Sequence, residues 1–140
     1  MAYKERIESE ELKLFRSLNN RMVLPSKEKN IYLHLEKGYK GEVMFDQQTE
    51  RLNPKKFLIL NDLRLETNST NFQIDTFIIS QGTQFPCEVK NFEGDYYYKS
   101  DQFFTMNGTE IQNPLDQIKR SDTLLRQVFQ KKKYSITLKS

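Results

Sequence analysis

Phe72-Gln73-Ile74-Asp75-Thr76-Phe77-Ile78-Ile79-Ser80, then Gln81-Gly82, then Thr83-Gln84-Phe85-Pro86-Cys87-Glu88-Val89-Lys90-Asn91 is the stretch on which the fold turns. Aromatic and β-branched residues on both sides of a glycine-containing dipeptide give two strands, Phe72 to Ser80 and Phe85 to Asn91, joined by a tight turn. With Gln81-Gly82 as a two-residue loop, Ser80 lies opposite Thr83, and each step outward pairs the next residue on either arm. Asp75 then falls opposite Glu88. Opposed residues of an antiparallel pair share a face and lie ~4.5–5.5 Å apart. Side chains two apart on a strand point the same way, so Lys90 joins Glu88 on that face while Cys87 and Val89 turn to the other.

The pattern continues outward from this hairpin. Before it, after Asn53-Pro54, the apolar period changes from about 3.6 to about 2, which marks the passage from helix to sheet. Phe57 to Leu60 and Asp62 to Leu65 form a first strand, and Asn68-Ser69-Thr70-Asn71 a loop. After it, Gly94 closes the third strand. Asp95 to Thr105 and Thr109 to Gln112 read as one further hairpin about Asn107-Gly108, the strongest short hairpin signal in the chain.

Helices flank this sheet. Glu5 to Asn20 carries Ile7, Leu12, Leu14, Phe15 and Leu18 at amphipathic spacing, and Pro25 follows its end. Tyr32, Leu35, Tyr39 and Val43 share a face of a second helical stretch, about Asn30 to Leu52, which Gly38 and Gly41 weaken enough to suggest two pieces. Asn113-Pro114 supplies a cap and a first-turn proline for a helix running to about Gln130, with Leu115, Ile118, Leu125 and Phe129 as its buried stripe. Tyr134 to Leu138 is either a short edge strand or the start of something longer. The expectation is an α/β fold: a mixed, mainly antiparallel central sheet flanked by helices. Residues 1–30 would form a helical segment packed on a single domain formed by 31–140.

Composition narrows the function. The chain has 140 residues, 36% hydrophobic and 29% charged, with ten Phe, seven Tyr and no Trp, which describes a folded globular protein. Net charge is +3, a bias that suits an anionic partner without requiring one. A single cysteine, Cys87, and a single histidine, His34, exclude an internal disulfide and the usual zinc sets. No stretch approaches the ~20 apolar residues that span a bilayer, and Met1 to Arg6 lacks the apolar core of a secretory signal. No membrane partner and a cytoplasmic location are expected.

Two carboxylates and a lysine in one space are a chemical proposition. Asp75 and Glu88 repel each other unless a cation lies between them. A site with few protein ligands, all oxygen, suits Mg2+, which keeps several waters and takes carboxylates and phosphate; Mn2+ would also serve. Such an ion polarises a phosphoryl oxygen and acidifies water, and Lys90 can orient that water, so phosphodiester hydrolysis is the expected reaction. A plainer account makes Asp75 an acceptor for a loop and Glu88 and Lys90 a solvated pair.

Four stretches resemble a known family: Gly38-Tyr39-Lys40-Gly41-Glu42, Gln73-Ile74-Asp75, Glu88-Val89-Lys90-Asn91-Phe92-Glu93-Gly94 and Asn113-Pro114-Leu115-Asp116-Gln117. In this order they look like the nuclease-related domain, NERD, a branch of the PD-(D/E)xK restriction-endonuclease-like superfamily, with Ile74 where the superfamily motif has proline. The resemblance implies a site of Glu42, Asp75, Glu88, Lys90 and Gln117. In it Asp75 and Glu88 would hold metal, Lys90 would handle water, Glu42 would assist either, and Gln117 would position substrate or the first helix. Lys40, Lys119 and Arg120 are the expected nucleic-acid contacts. The expected function is a Mg2+- or Mn2+-dependent nuclease acting on nucleic acid, DNA above all, with pairing of two copies a further expectation.

Two rivals stand beside this: a non-catalytic nucleic-acid-binding or interaction module of the same fold, and a domain of a longer DNA-processing protein. Other signals have ordinary readings. His34 reads as a surface or partly buried helix residue and Cys87 as a small core residue. Tyr96-Tyr97-Tyr98 with Lys99 suits either base stacking or strand packing. Lys131-Lys132-Lys133 reads as a solvated helix end.

Overall fold

The computed structural model describes residues 1–131. Its elements run α1 (Glu10–Arg21), α2 (Ser26–Thr49), β1 (Leu58–Thr67), β2 (Thr70–Ser80), β3 (Thr83–Cys87), β4 (Tyr96–Lys99), β5 (Gln102–Thr105), β6 (Glu110–Ile111) and α3 (Pro114–Lys131). This is an α/β fold, consistent with the restriction-endonuclease-like class. Its strands divide into two three-stranded antiparallel sheets, β1-β2-β3 and β4-β5-β6, where a single central sheet was expected. The one parallel pairing among the described residues is an isolated bridge between Lys4 and Leu60.

Turns made by residues with positive φ set the first sheet. Asn68 and Ser69 join β1 to β2, and Gln81 and Gly82 join β2 to β3. Two consecutive positive φ values match the right-handed twist of the strands they connect. The expected register follows: Ser80 faces Thr83, and the pairing proceeds outward to Thr76 opposite Cys87. There the ladder stops, four residues short of the expected strand end at Asn91. Pro86 has no N–H to offer a ladder, and the Val89 N–H donates to the Asp75 carboxylate at 2.9 Å. Glu88, Val89 and Lys90 are therefore irregular, and the chain leaves the first sheet before it starts the second.

The second sheet corrects another expectation. Asp95 to Thr105 is not one strand, because Ser100 and Asp101, at φ 53° and 62°, turn it into the β4–β5 hairpin. The Asn107-Gly108 turn then joins β5 to β6.

Helix α1 starts five residues later than the apolar spacing suggests. Ser9 caps it, its Oγ accepting the Leu12 N–H at 3.1 Å. The residues before it run along β1 instead: Tyr3 N donates to Ile59 O at 2.9 Å and Asn61 N to Lys4 O at 3.0 Å. Ile7 and Leu14 are consequently exposed, and Leu12 is the buried anchor of the helix. Helix α2 is continuous through both glycines. α1 packs on α2, while α3 touches all three strands of the first sheet. Leu125 of α3 packs with Phe72, Ile74 and Phe77, and Leu124, Val128 and Phe129 close the margin of that core. Leu115, expected in the stripe, is exposed. The Tyr134 to Leu138 segment, and the lysine run beyond Lys131, lie outside the described residues.

The glycines of α2 differ in what they permit. A Cβ on Gly41 would lie 2.6 Å from Asn91 Cβ, whereas one on Gly38 would meet nothing within 4 Å. Gly41 thus lets the helix approach the segment after Lys90, where Asn91 Nδ2 donates to Lys37 O at 3.0 Å. In urea titrations, Gly41→Ala is expected to lose about 1–3 kcal/mol through forced separation of the two. Gly38→Ala is expected to gain about 0.5–1 kcal/mol from helix propensity. Equal effects at both positions would contradict this packing.

Candidate functional site

Asp75 sits on the central strand β2 next to the fully buried Ile74 and Thr76. Its Oδ2 is committed to the Val89 N–H, which fixes the carboxylate and leaves the other oxygen for a further partner. Glu88 follows the last paired residue of β3, and its carboxyl lies close enough to that of Asp75 for the two to interact. From α3 the Ser121 hydroxyl reaches Glu88 Oε1 at 3.4 Å. Asp75, Glu88, Gln117, Arg120 and Ser121 line one cleft of about 440 Å3.

The electrostatics follow from this crowding. Burial, then the Asp75 charge and the hydrogen bond with Asp75, push the Glu88 pKa up to about 7, against the pull of Lys90 and Ser121. Two carboxyls in contact and partly dehydrated cannot both ionise cheaply. Below about pH 7 the Glu88 carboxyl accordingly keeps its proton. The Cys87 thiol is also raised, by burial and by Glu88, which makes it a poor nucleophile.

Glu42, on α2, feels the Asp75 charge but is not among the residues lining the Asp75–Glu88 cleft. It lines an adjoining depression of about 260 Å3 with Asp62 and Gln73. Burial lifts its pKa to about 7; Arg6 opposes the rise, and Asp75, Asp62 and Asp46 add to it. Arg6 bonds Asp46 through Nε at 2.8 Å and a terminal nitrogen at 2.9 Å, and Glu42 at 3.2 Å. It also donates to Thr76 Oγ1 at 2.9 Å and Asn61 Oδ1 at 3.3 Å.

The structure does not gather every expected residue. Lys90 is exposed, although its charge reaches Glu88. Arg120 lines the cleft, but Lys40 lines a separate depression with Asn91 and Glu93. Lys119 is exposed on α3 and is not among the cleft-lining residues. Arg6, Asp46 and Ser121 were not foreseen. One signal was available: Glu42 and Asp46 are like charges four apart on a helix, hence neighbours that repel unless a cation joins them. Nothing local singles out Ser121.

The donor set fits a hard cation. Asp75 and Glu88 offer carboxylate oxygens, and Gln117 Oε1 is buried without a hydrogen-bond partner in the same cleft. Among the described residues no group of three or more His, Cys, Asp or Glu could cage an ion. Two carboxylates completed by water and substrate oxygens is the arrangement Mg2+ accepts and structural zinc does not.

The chain is a mixed α/β framework with an acidic pair at the open end of a hairpin. Within it, the profile of the nuclease-related domain, NERD, matches residues 37–140, and the chain belongs to that family. No curated protein and no solved structure matches the chain. No helix among the described residues is long and apolar enough to cross a membrane.

The raised carboxyls predict how stability depends on pH. Glu42 and Glu88 sit at about 7 in the fold against an ordinary 4.5. Between those values the folded protein binds more protons than the unfolded chain, so stability falls as pH rises through this window and the loss is complete above it. Discounted for solvent screening, the loss is about 1–2 kcal/mol. Urea melts in chelator at pH 5 and 8 should show it, and the Glu42→Gln/Glu88→Gln variant should show less. Identical pH dependence in the two proteins would contradict the assignment.

Proposed function

We propose that this chain is a divalent-metal-dependent nuclease that hydrolyses phosphodiester bonds in DNA. The observation that supports it best is that the Asp75 and Glu88 carboxyls line one cleft together with the unpartnered amide oxygen of Gln117. Membership of a nuclease-related family gives the same direction. A buried acidic pair is costly to hold as anions, and a cation between the two offsets that cost.

Asp75 and Glu88 would hold Mg2+ or Mn2+, with Gln117 Oε1 accepting from a water or substrate group beside it. A bound ion of this kind supplies Lewis-acid polarisation of the phosphoryl oxygen and acidifies water near pH 7. Val89 N–H keeps Asp75 from rotating away. Ser121 and Asp75 together fix Glu88. Lys90 meets the negative charge that gathers on the phosphate or orients the attacking water, and Glu42 assists in taking its proton. Arg120, at the cleft's rim on α3, would contact a phosphate of the strand, a contact that positions the duplex without reading its sequence.

Asp75→Asn preserves an acceptor for Val89 N–H, and Glu88→Gln preserves shape, so both should fold. Each, like Lys90→Ala, is expected to lower Mn2+-dependent cleavage of DNA by at least about 100-fold. Calorimetric Mn2+ binding by the parent should release protons and tighten as pH rises to about 7, because the proton on Glu88 must leave first. Variants that cut as fast as the parent would remove this reading. DNA binding of equal strength with and without chelator, and no cleavage, would favour a non-catalytic binding module.

A further inference from the structure

Helix α2 stands off from the first sheet, and polar side chains bridge the gap. Arg6 is the centre of that bridge. Its side chain is 4% exposed, and it joins Asp46 and Glu42 of α2 to Asn61 of β1 and Thr76 of β2. Thr76 is itself fully buried and donates its hydroxyl to Asn61 Oδ1 at 3.1 Å. The guanidinium is therefore fixed from three sides before it meets Glu42.

The segment that carries Arg6 is held as firmly. Lys4 pairs with Leu60 in a parallel bridge, and Lys4 Nζ donates to the carbonyls of Asn61 and Asp62 at 2.7 and 3.0 Å. The second of these carbonyls belongs to a residue at φ 51°, where β1 kinks. All of this chain precedes residue 37, where the family match begins.

We propose that Arg6 is a positioning residue of the site, supplied by the N-terminal segment outside the matched family region, and that it sets where the Glu42 carboxylate stands relative to Asp75 and Glu88. The inference rests on the nuclease reading for its effect on turnover, but the geometry stands apart from it. Glu42 and Asp46 on adjacent turns repel each other. Arg6 removes that repulsion bidentately on Asp46, which leaves one arm to hold Glu42. Lysine at this position carries the charge but not the fork, so it can serve Asp46 or Glu42 and not both. Asp75 is the other charged group whose field reaches the guanidinium.

The test is a double-variant cycle on the full chain with Arg6→Lys, Glu42→Gln and both together. Thermal melts and crystal structures accompany it. Arg6→Lys is expected to lower kcat about 10–100-fold, the usual cost of losing a partner that orients a site residue. KM for DNA should change little. The double variant should be no slower than Glu42→Gln alone, since Arg6 acts through Glu42. The crystal structure of Arg6→Lys should show the Glu42 carboxylate displaced. Additive losses of kcat, or Glu42 unmoved in Arg6→Lys, would overturn the proposal and leave Arg6 as structural only. A parent protein that neither cuts DNA nor binds Mn2+ would overturn the nuclease reading instead, and the crystallographic comparison would then decide on Arg6 by itself. Should Arg6→Lys fail to fold, Asp46→Asn takes its place: it frees the fork, and Glu42 should again move.

Discussion

Two carboxylates pressed together by a hairpin register are the constraint around which this molecule is arranged. The Gln81-Gly82 turn sets a register that ends with Thr76 opposite Cys87, which brings Glu88 and Asp75 to the open end of the hairpin. Neither can leave. Asp75 is tied to Val89 N–H, and Glu88 is met by Ser121 from α3. The Glu88 pKa rises to about 7 because burial and the neighbouring Asp75 charge outweigh the pull of Lys90 and Ser121. A one-residue slip of the hairpin would turn every side chain of β3 to the other face and separate the two groups.

The other consequence of an acidic centre lies behind it. Asp46, Asp62 and Asp75 all bear on Glu42 across the space between α2 and the sheet. A buried arginine answers this excess, and a buried charge needs all its hydrogen bonds to be tolerated. Arg6 makes them with two carboxylates, an amide oxygen and a hydroxyl. The N-terminal segment therefore contributes a strand-like edge to β1 and the compensating charge at once. Removing one partner of such a network costs more than the network's net worth, since the remaining groups stay buried.

What the sequence discloses depends on the range of the interaction. The hairpin and its register are local, set by a two-residue turn and a period of two, and both were legible; so was the helix opening at Asn113-Pro114, where Asn113 Oδ1 accepts the Leu115 N–H. The Ser100-Asp101 turn was hidden because neither residue is glycine and the following Asn-Gly signal is stronger. The division into two sheets was hidden for a related reason: Pro86 and the bond from Asp75 to Val89 end β3 early, and the second of these is a tertiary event. The start of α1 was marked by Ser9, Glu10 and Glu11, a cap with an acidic first turn, but an apolar spacing that reached back to Ile7 obscured it. Arg6 is one of 22 basic residues, and only three-dimensional pairing distinguishes it. Lys40 and Lys119 show the reverse, charges that proximity in sequence recommends and the fold sends elsewhere.

Crystals of the full chain soaked in Mn2+ would test the central claim most directly, by anomalous scattering from the metal. The account requires one strong peak between Asp75 and Glu88, about 2.1 Å from an oxygen of each, with water in the remaining positions. A cleft without a peak, its two carboxyls still sharing a proton at pH 8, would contradict it, as would a metal bound away from both.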